Sequence, residues 1–367
     1  MGTFPQNFPL HLQSARRDRH IVAKPVETRY LSFAENWKRL QKMSVSIKDV
    51  ARAAGVSTST VSRALGKGPV SAEVLRRVES AVAATGYRPN LAARQLRSQR
   101  SMAVGLIVAD IRNPFFTQLS RAVEDAAYAA GMRVLLCNTD EDPVREAMYL
   151  ELMAEERVSG LIMTPTRHLS PAVLARVGRP VVLVDRAMPE TDFDSIVLDN
   201  ARASAELVDH LVASGRRRIA GLFGSTSATG MERRAEVEAA LERHGLPARS
   251  ALSLPSFDAG HAALAELLER EMPDALILSN GLFVRAALKL CHERRIPIPG
   301  RLAIAGFDDE VWTDLVDPGI TVIRQPVEEF GREAMQTLLA RIGAAKMRPR
   351  RIVLAGELIV RGSTAPV

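Results

Sequence analysis

Residues 47–68 read IKDVARAAGVSTSTVSRALGKG. Two short stretches with helical spacing meet at Ala54-Gly55-Val56. The second carries Ser57, Thr58, Ser59, Thr60 and Ser62, with nothing bulky until Arg63. With Ile47 as the first position of a helix-turn-helix, each small residue has a steric role. Ala51 must be small where the second helix crosses it, Gly55 can take the positive φ of a tight turn, and Val61 packs back toward Val50 and Ala54. Thr58, Ser59, Ser62 and Arg63 are then left on the open face. Short hydroxyl side chains let a helix sink into a major groove, and an arginine can reach a guanine with two hydrogen bonds. On this stretch alone a plain helical hairpin with a capping-prone start is the alternative.

The pattern extends on both sides. The spacing predicts helices over 47–54, 58–65 and 71–84, with Ser71 as N-cap of the third and Gly86 as its stop. YRPNLAARQLRSQRS follows at 87–101, where Pro89 breaks the chain and a short basic, alanine-rich segment begins. Residues 1–100 hold 18 Lys+Arg against 6 Asp+Glu, and the remaining residues hold 31 against 36. A positive charge confined to the front of the chain fits a polyanionic partner there and a different task behind it. Residues 1–44, with scattered prolines and no sustained period, are expected to form either a disordered leader or a stretch upstream of a true start at Met43.

From Ala103 the texture changes. Apolar runs at 103–109, 133–137, 160–164 and 180–185 alternate with helical patterns of about 12 to 20 residues, and a second series repeats the rhythm at 218–223, 275–279 and 302–307. Alternation of this kind makes parallel sheets covered by helices, and two series make two lobes. The expected fold is therefore a small all-α helix-turn-helix headpiece plus two doubly wound α/β lobes with parallel sheets. Polar residues gather just after the strands, at Asp110, Thr164, Asp185, Asn280 and Asp308, which is the sheet edge where ligands bind.

Several functional classes lose support. No GxGxxG follows the first strand, and no P-loop, GxSxG or HExxH is present, so no enzyme, cofactor or metal is expected. Cys137 and Cys291 lie far apart without ligand spacing, as expected of reduced thiols in the cytoplasm. The sequence has no apolar run of about 18 residues and no secretory pattern near Met1, so no membrane association is expected.

The run IKDVARAAGVSTSTVSRAL, followed by VSAEVLRRVESAVAATGYRPNLAARQLR, resembles the DNA-binding headpiece of the LacI/GalR family of bacterial transcriptional repressors. The resemblance continues through VGLIVADIRNPFF, PVVLVDR, ALILSNG, AGFDD and ITVIRQP. It implies a DNA-binding domain over 45–100 with a hinge helix at about 90–97, and an effector-binding and dimerisation domain over 101–367 of the periplasmic-binding-protein type. DNA contacts are expected from Ser57, Thr58, Ser59, Thr60, Ser62, Arg63, Tyr87, Asn90, Ala93 and Leu96, with Leu96 as the wedge that opens a base step in the minor groove. The effector pocket is expected from Asp110, Phe115, Phe116, Asp185 and Arg186 in the first lobe, from Arg233, Phe257, Asn280 and Asp308 in the second, and from Gln325 where the chain crosses between them.

The partners so implied are a near-palindromic operator in double-stranded DNA, a small sugar-like effector and a second copy of the chain. Carboxylates, an amide and an arginine beside an aromatic wall suit a polyol. One departure bears on the effector: the family usually has Asn-Asp where this chain has Asn280-Gly281. An acid lost there, with Arg112, Arg233 and Arg285 expected nearby, points to an acidic or phosphorylated sugar.

Overall fold

The computed structural model describes residues 45–66, 68–87, 102–188, 191–343 and 348–366. The chain divides into two compact units, Met1–Arg97 and Ser98–Val367. The expectations for the 1–44 leader, for the hinge helix and for Asn90, Ala93 and Leu96 lie outside the described residues.

Among its described residues the first unit has three helices, α1 (Ile47–Ala54), α2 (Thr58–Leu65) and α3 (Ala72–Thr85). Their ends sit where side chains can satisfy the orphan backbone groups. Ser46 precedes α1 and donates its N–H and Oγ to Asp49 at 3.0 and 2.7 Å, and these bonds lower the carboxyl's pKa. Ser57 caps α2 by accepting from Thr60 N, and Ser71 caps α3 by accepting from Val74 N. Gly55, at φ 62°, forms the turn. A side chain there would also strike the guanidinium of Arg77 at 2.6 Å, which donates to Ala54 O and so ties the turn to α3. Val50, Ala51, Ala54, Val61, Ala64, Val78 and Ala81 close the core, which puts Val61 in one buried cluster with Val50 and Ala54.

The second unit carries two six-stranded sheets. Its first lobe runs β1 (Ala103–Val108), α4 (Pro114–Ala129), β2 (Arg133–Asn138), α5 (Pro143–Glu155), β3 (Gly160–Met163), α6 (Pro171–Ala175), β4 (Val181–Val184) and β5 (Asp194–Leu198). The chain then crosses at Asp199-Asn200 into α7 (Asn200–Ala213), β6 (Ile219–Gly224), α8 (Ala228–Arg243), β7 (Ser250–Ser253), α9 (Phe257–Arg270), β8 (Ala275–Leu278), α10 (Gly281–Arg294), β9 (Ala303–Phe307) and β10 (Thr321–Arg324). After Gln325 it returns as α11 (Val327–Gly343), which packs on α4. β11 (Arg351–Leu354) joins the first sheet and β12 (Glu357–Ile359) the second.

The strand orders are β11-β5-β4-β3-β1-β2 and β12-β10-β9-β8-β6-β7. Every described pairing is parallel except that of β10 with β12. Central strands that are apolar along their whole length, such as VVLV of β4 and ALIL of β8, are buried throughout, as a sheet covered on both faces requires. Three crossings tie the lobes together and leave a cleft outside the carboxyl ends of both sheets. Among the described residues no helix is long and apolar enough to cross a membrane, and no cluster of side chains is placed to hold a metal ion. Cys137 and Cys291 are free, buried thiols, and burial pushes the pKa of Cys291 up to about 11.

Candidate functional site

The first unit presents α2. Thr58, Ser59 and Arg63 are exposed and Ser62 is half-buried, while Val61 and Ala64 turn inward. Ser57 Oγ accepts from Thr60 N and lies 2.7 Å from Ser59 Oγ and 2.8 Å from Thr60 Oγ1, so the hydroxyls of Ser57, Ser59 and Thr60 are joined at the start of α2. Tyr87 rests half-buried against the headpiece core.

In the second unit, the first lobe brings its polar groups to the cleft from β1 and β4. Asp110 follows β1 and accepts from the backbone N–H and Nε of Arg112 at 3.0 and 2.8 Å. Asn113 caps α4, which sets Phe115 and Phe116 edge to face with ring centroids 5.1 Å apart. Asp185 and Arg186 follow β4. Thr229, on α8 of the other lobe, donates to both the carboxylate and the carbonyl of Asp185 at 3.2 Å. Burial raises the Asp185 carboxyl above the usual range, against the nearby arginines. Arg186 forks onto Glu141 with bonds of 2.9 and 2.5 Å, and donates to Pro165 O at 2.9 Å.

The second lobe supplies Asp308 after β9 and Ser279-Asn280 after β8. Asp308 accepts from Gln325 Nε2 at 2.6 Å and from Gly281 N at 3.0 Å. The crossing at Gln325 is thereby tied to the acid beside it. Asn280 caps α10 through Phe283 N. Arg233, on α8, is 3% exposed. Its Nε donates to Asn200 Oδ1 and its Nη1 to Ser279 O, each at 2.8 Å. The guanidinium carbon lies 3.9 Å from the Phe307 ring centroid, and burial lowers its pKa.

The cleft these groups enclose has about 500 Å³ of empty space out to its solvent mouth. It brings together nine of the ten residues read from the sequence, from Asp110 to Gln325. Phe257 is the exception. It opens α9 directly after the Ser256 cap, stacks on His261 at 6.4 Å and lies beneath the Arg285 guanidinium at 5.7 Å. Pro255, two residues earlier, lines the cleft instead. Thr164 turns away as well, donating to Val184 O within the sheet. Of the three arginines expected near the site, only Arg233 lines it; Arg285 lies on Phe257, and Arg112 stands 67% exposed between Asp110 and Asp140.

Sequence reasoning missed Glu141, Ser227 and Thr229. Glu141 follows β2 at a positive φ of 60°, and Ser227 is an N-cap, so both carried local signals of a strand end or helix start. Thr229 carried none, because its partner Asp185 is 44 residues away.

Among the atoms shut off from solvent without any hydrogen-bond partner are Arg186 Nε, Arg233 Nη2, Ser279 Oγ and Gln325 Oε1, all on residues that line this cleft. A buried polar atom left unpaired costs roughly 1 to 3 kcal/mol. Four such atoms line one cleft, where a bound polar molecule or water can pair them.

The family model described as "Bacterial regulatory proteins, lacI family" matches residues 46–90, and that of a "Periplasmic binding protein-like domain" matches residues 208–364. The HTH-type transcriptional regulator DegA of Bacillus subtilis is 31% identical over 335 residues, covering 89% of this chain and 99% of that protein. This chain belongs to the LacI family. The ribose operon repressor of Escherichia coli is also 31% identical to it, over 87% of this chain and 99% of that one. A solved lac repressor dimer bound to operator and the anti-inducer ONPF is 25% identical, with a TM-score of 0.78, over 88% of this chain and 99% of that one. The LacI-family chain is thus a DNA-binding transcriptional regulator, with its helix-turn-helix in the first unit and the periplasmic-binding-protein-like fold in the second.

Proposed function

We propose that this regulator is a cytoplasmic repressor without catalytic activity, and that a small sugar-like molecule bound between the two α/β lobes sets its affinity for operator DNA. The observation that carries this reading is the set of four unpartnered buried polar atoms around the cleft, in a chain that also presents an exposed Thr58-Ser59-Arg63 face. The relatives' names support it: one is a ribose operon repressor, and the solved lac repressor is held on its operator with a small molecule bound.

Two headpieces from a homodimer read a near-palindromic site. Arg63 contacts a base, while Thr58 and Ser59 set the preference at neighbouring positions. The ligand acts through its unequal affinity for two arrangements of the lobes, which is the general basis of such coupling.

The test is to select duplexes bound by the full chain from random DNA, then titrate the selected duplex with sugars, sugar acids, sugar phosphates and nucleobases. One chemical class is expected to change duplex affinity by about 10-fold or more. A protein that prefers no duplex over random competitor, or whose preferred duplex responds to no compound, would refute the proposal.

A further inference from the structure

Both guanidinium groups that line the cleft lie in the field of acids. Asp308 and Asp185 act on Arg233, and Arg186 is taken outright. Glu141 holds both of its terminal nitrogens, at 2.9 Å from Nη1 and 2.5 Å from Nη2, and Asp185 stands 3.4 Å from its Nε. Burial works against the charge of Arg186, yet Glu141 beside it keeps the guanidinium's pKa above the ordinary value. The planar fork that would suit an incoming carboxylate is therefore filled by one of the protein's own.

Glu141 reaches this place through an uncommon turn. Asp140 and Glu141 both have left-handed backbone, at φ 54° and 60°. Glu141 N donates to Ala109 O at 3.2 Å and Asn138 Nδ2 to Asp140 Oδ1 at 2.8 Å. Two successive non-glycine residues hold that conformation only where their surroundings enforce it. The turn brings the Glu141 carboxylate to the cleft wall, where its side chain is 11% exposed.

We propose that Glu141 sets the charge class of the ligand: by filling the Arg186 fork it keeps anionic sugars out and leaves the cleft to neutral ones. This rests on the ligand-binding reading given above and narrows it. Asp110, Glu141, Asp185 and Asp308 line the space against Arg186 and Arg233. Even with Arg112 counted on Asp110, acids outnumber cations, so a further anion meets repulsion, which is how a site rejects a wrong partner. The unpartnered groups suit hydroxyls: Gln325 Oε1 can accept from one, Arg186 Nε can donate to one, and Ser279 Oγ can do either. With Glu141 counted, the acidic sugar expected from Gly281 gives way to an uncharged one.

The test is calorimetric titration of the full chain with aldopentoses and aldohexoses and with the aldonate of each. The wild type is expected to bind a neutral sugar at least about 10-fold more tightly than its aldonate. Glu141→Gln removes one negative charge and keeps the shape, and should improve aldonate affinity at least about 10-fold relative to the neutral parent. Glu141→Ala, which also uncovers the two nitrogens, should do so at least as strongly. Adding Arg186→Met to Glu141→Gln should remove the gain, because the released guanidinium is what favours the anion. Each readout is a ratio of two ligands on one protein, so general damage to the fold does not imitate it. An aldonate as the tightest wild-type ligand overturns the inference. So does a wild type that takes no neutral sugar, a Glu141→Gln protein that gains no aldonate, or a gain that survives Arg186→Met. If wild-type operator affinity responds to a compound of the panel while Glu141→Gln gains nothing, the proposed function stands and only the role of Glu141 is wrong.

Discussion

Asp185 and Asp308 adopt the same uncommon backbone conformation at matching places in the two lobes: φ is 68° for Asp185, directly after β4, and 79° for Asp308, directly after β9. Neither is glycine, and left-handed backbone of this kind costs an L-residue of order 1 to 3 kcal/mol unless the surroundings enforce it. Here they do. Thr229 holds Asp185 from across the cleft, and Gln325 with the Gly281 N–H holds Asp308.

Asp308→Ala should therefore abolish the ligand response while leaving operator affinity near its wild-type value. It removes the acceptor of both Gln325 Nε2 and Gly281 N, and ligand affinity is expected to fall by at least about 30-fold. Fluorescence anisotropy on a labelled operator, with and without ligand, reads both quantities. A variant that still responds normally would take Asp308 out of the ligand site.

Gly281 lies against the carboxyl group of Glu310. A Cβ at position 281 would stand 2.0 Å from Glu310 Oε1, and Glu310 is pinned by the Trp312 indole N–H. Gly281→Ala is expected to cost about 1 to 3 kcal/mol by overpacking. Adding Glu310→Ala should return part of that loss, so the two substitutions should couple in a double-mutant cycle of thermal melts. Additive effects would mean that the two side chains do not share this space.

Arg63→Ala should cost roughly 1 to 3 kcal/mol of discrimination at one base pair of each half-site and leave the other positions unchanged. Selection of bound sequences from random DNA measures this directly. An unaltered preferred site would remove Arg63 from base readout.

Glu146 gives the fold a pH signature. It is buried, and burial raises its pKa despite the bonds it accepts from Thr166 N and Oγ1 at 2.7 and 2.6 Å. A carboxyl raised in the folded state contributes most below its unfolded pKa and loses that contribution as pH rises through the folded value. The melting temperature of the wild type should accordingly decline relative to Glu146→Gln as pH climbs from the ordinary carboxylate range toward neutrality. A difference that does not change with pH would contradict the shift.

The headpiece was legible because its signals are local. Ser57 and Ser71 cap the helices they precede, Gly55 and Gly86 end the ones they follow, and the alternation of small and apolar residues names the core. The lobes were legible from rhythm, and Asp110, Asp185 and Asp308 from their places just beyond strands. Thr164 and Phe257 occupy positions of the same kind, yet one bonds back into the sheet and the other stacks on its own helix. Strand-end position cannot separate such cases, because side-chain direction there depends on partners far away in sequence. The pairing of Arg186 with Glu141, 45 residues apart, is of that kind.

Operator affinity of the intact protein, measured by anisotropy while the compound found to bind the cleft is titrated, is the most direct test of coupling between cleft and headpiece. A shift of about 10-fold or more, lost in Asp308→Ala, is the predicted result. An operator affinity that stays constant while the cleft fills would contradict it.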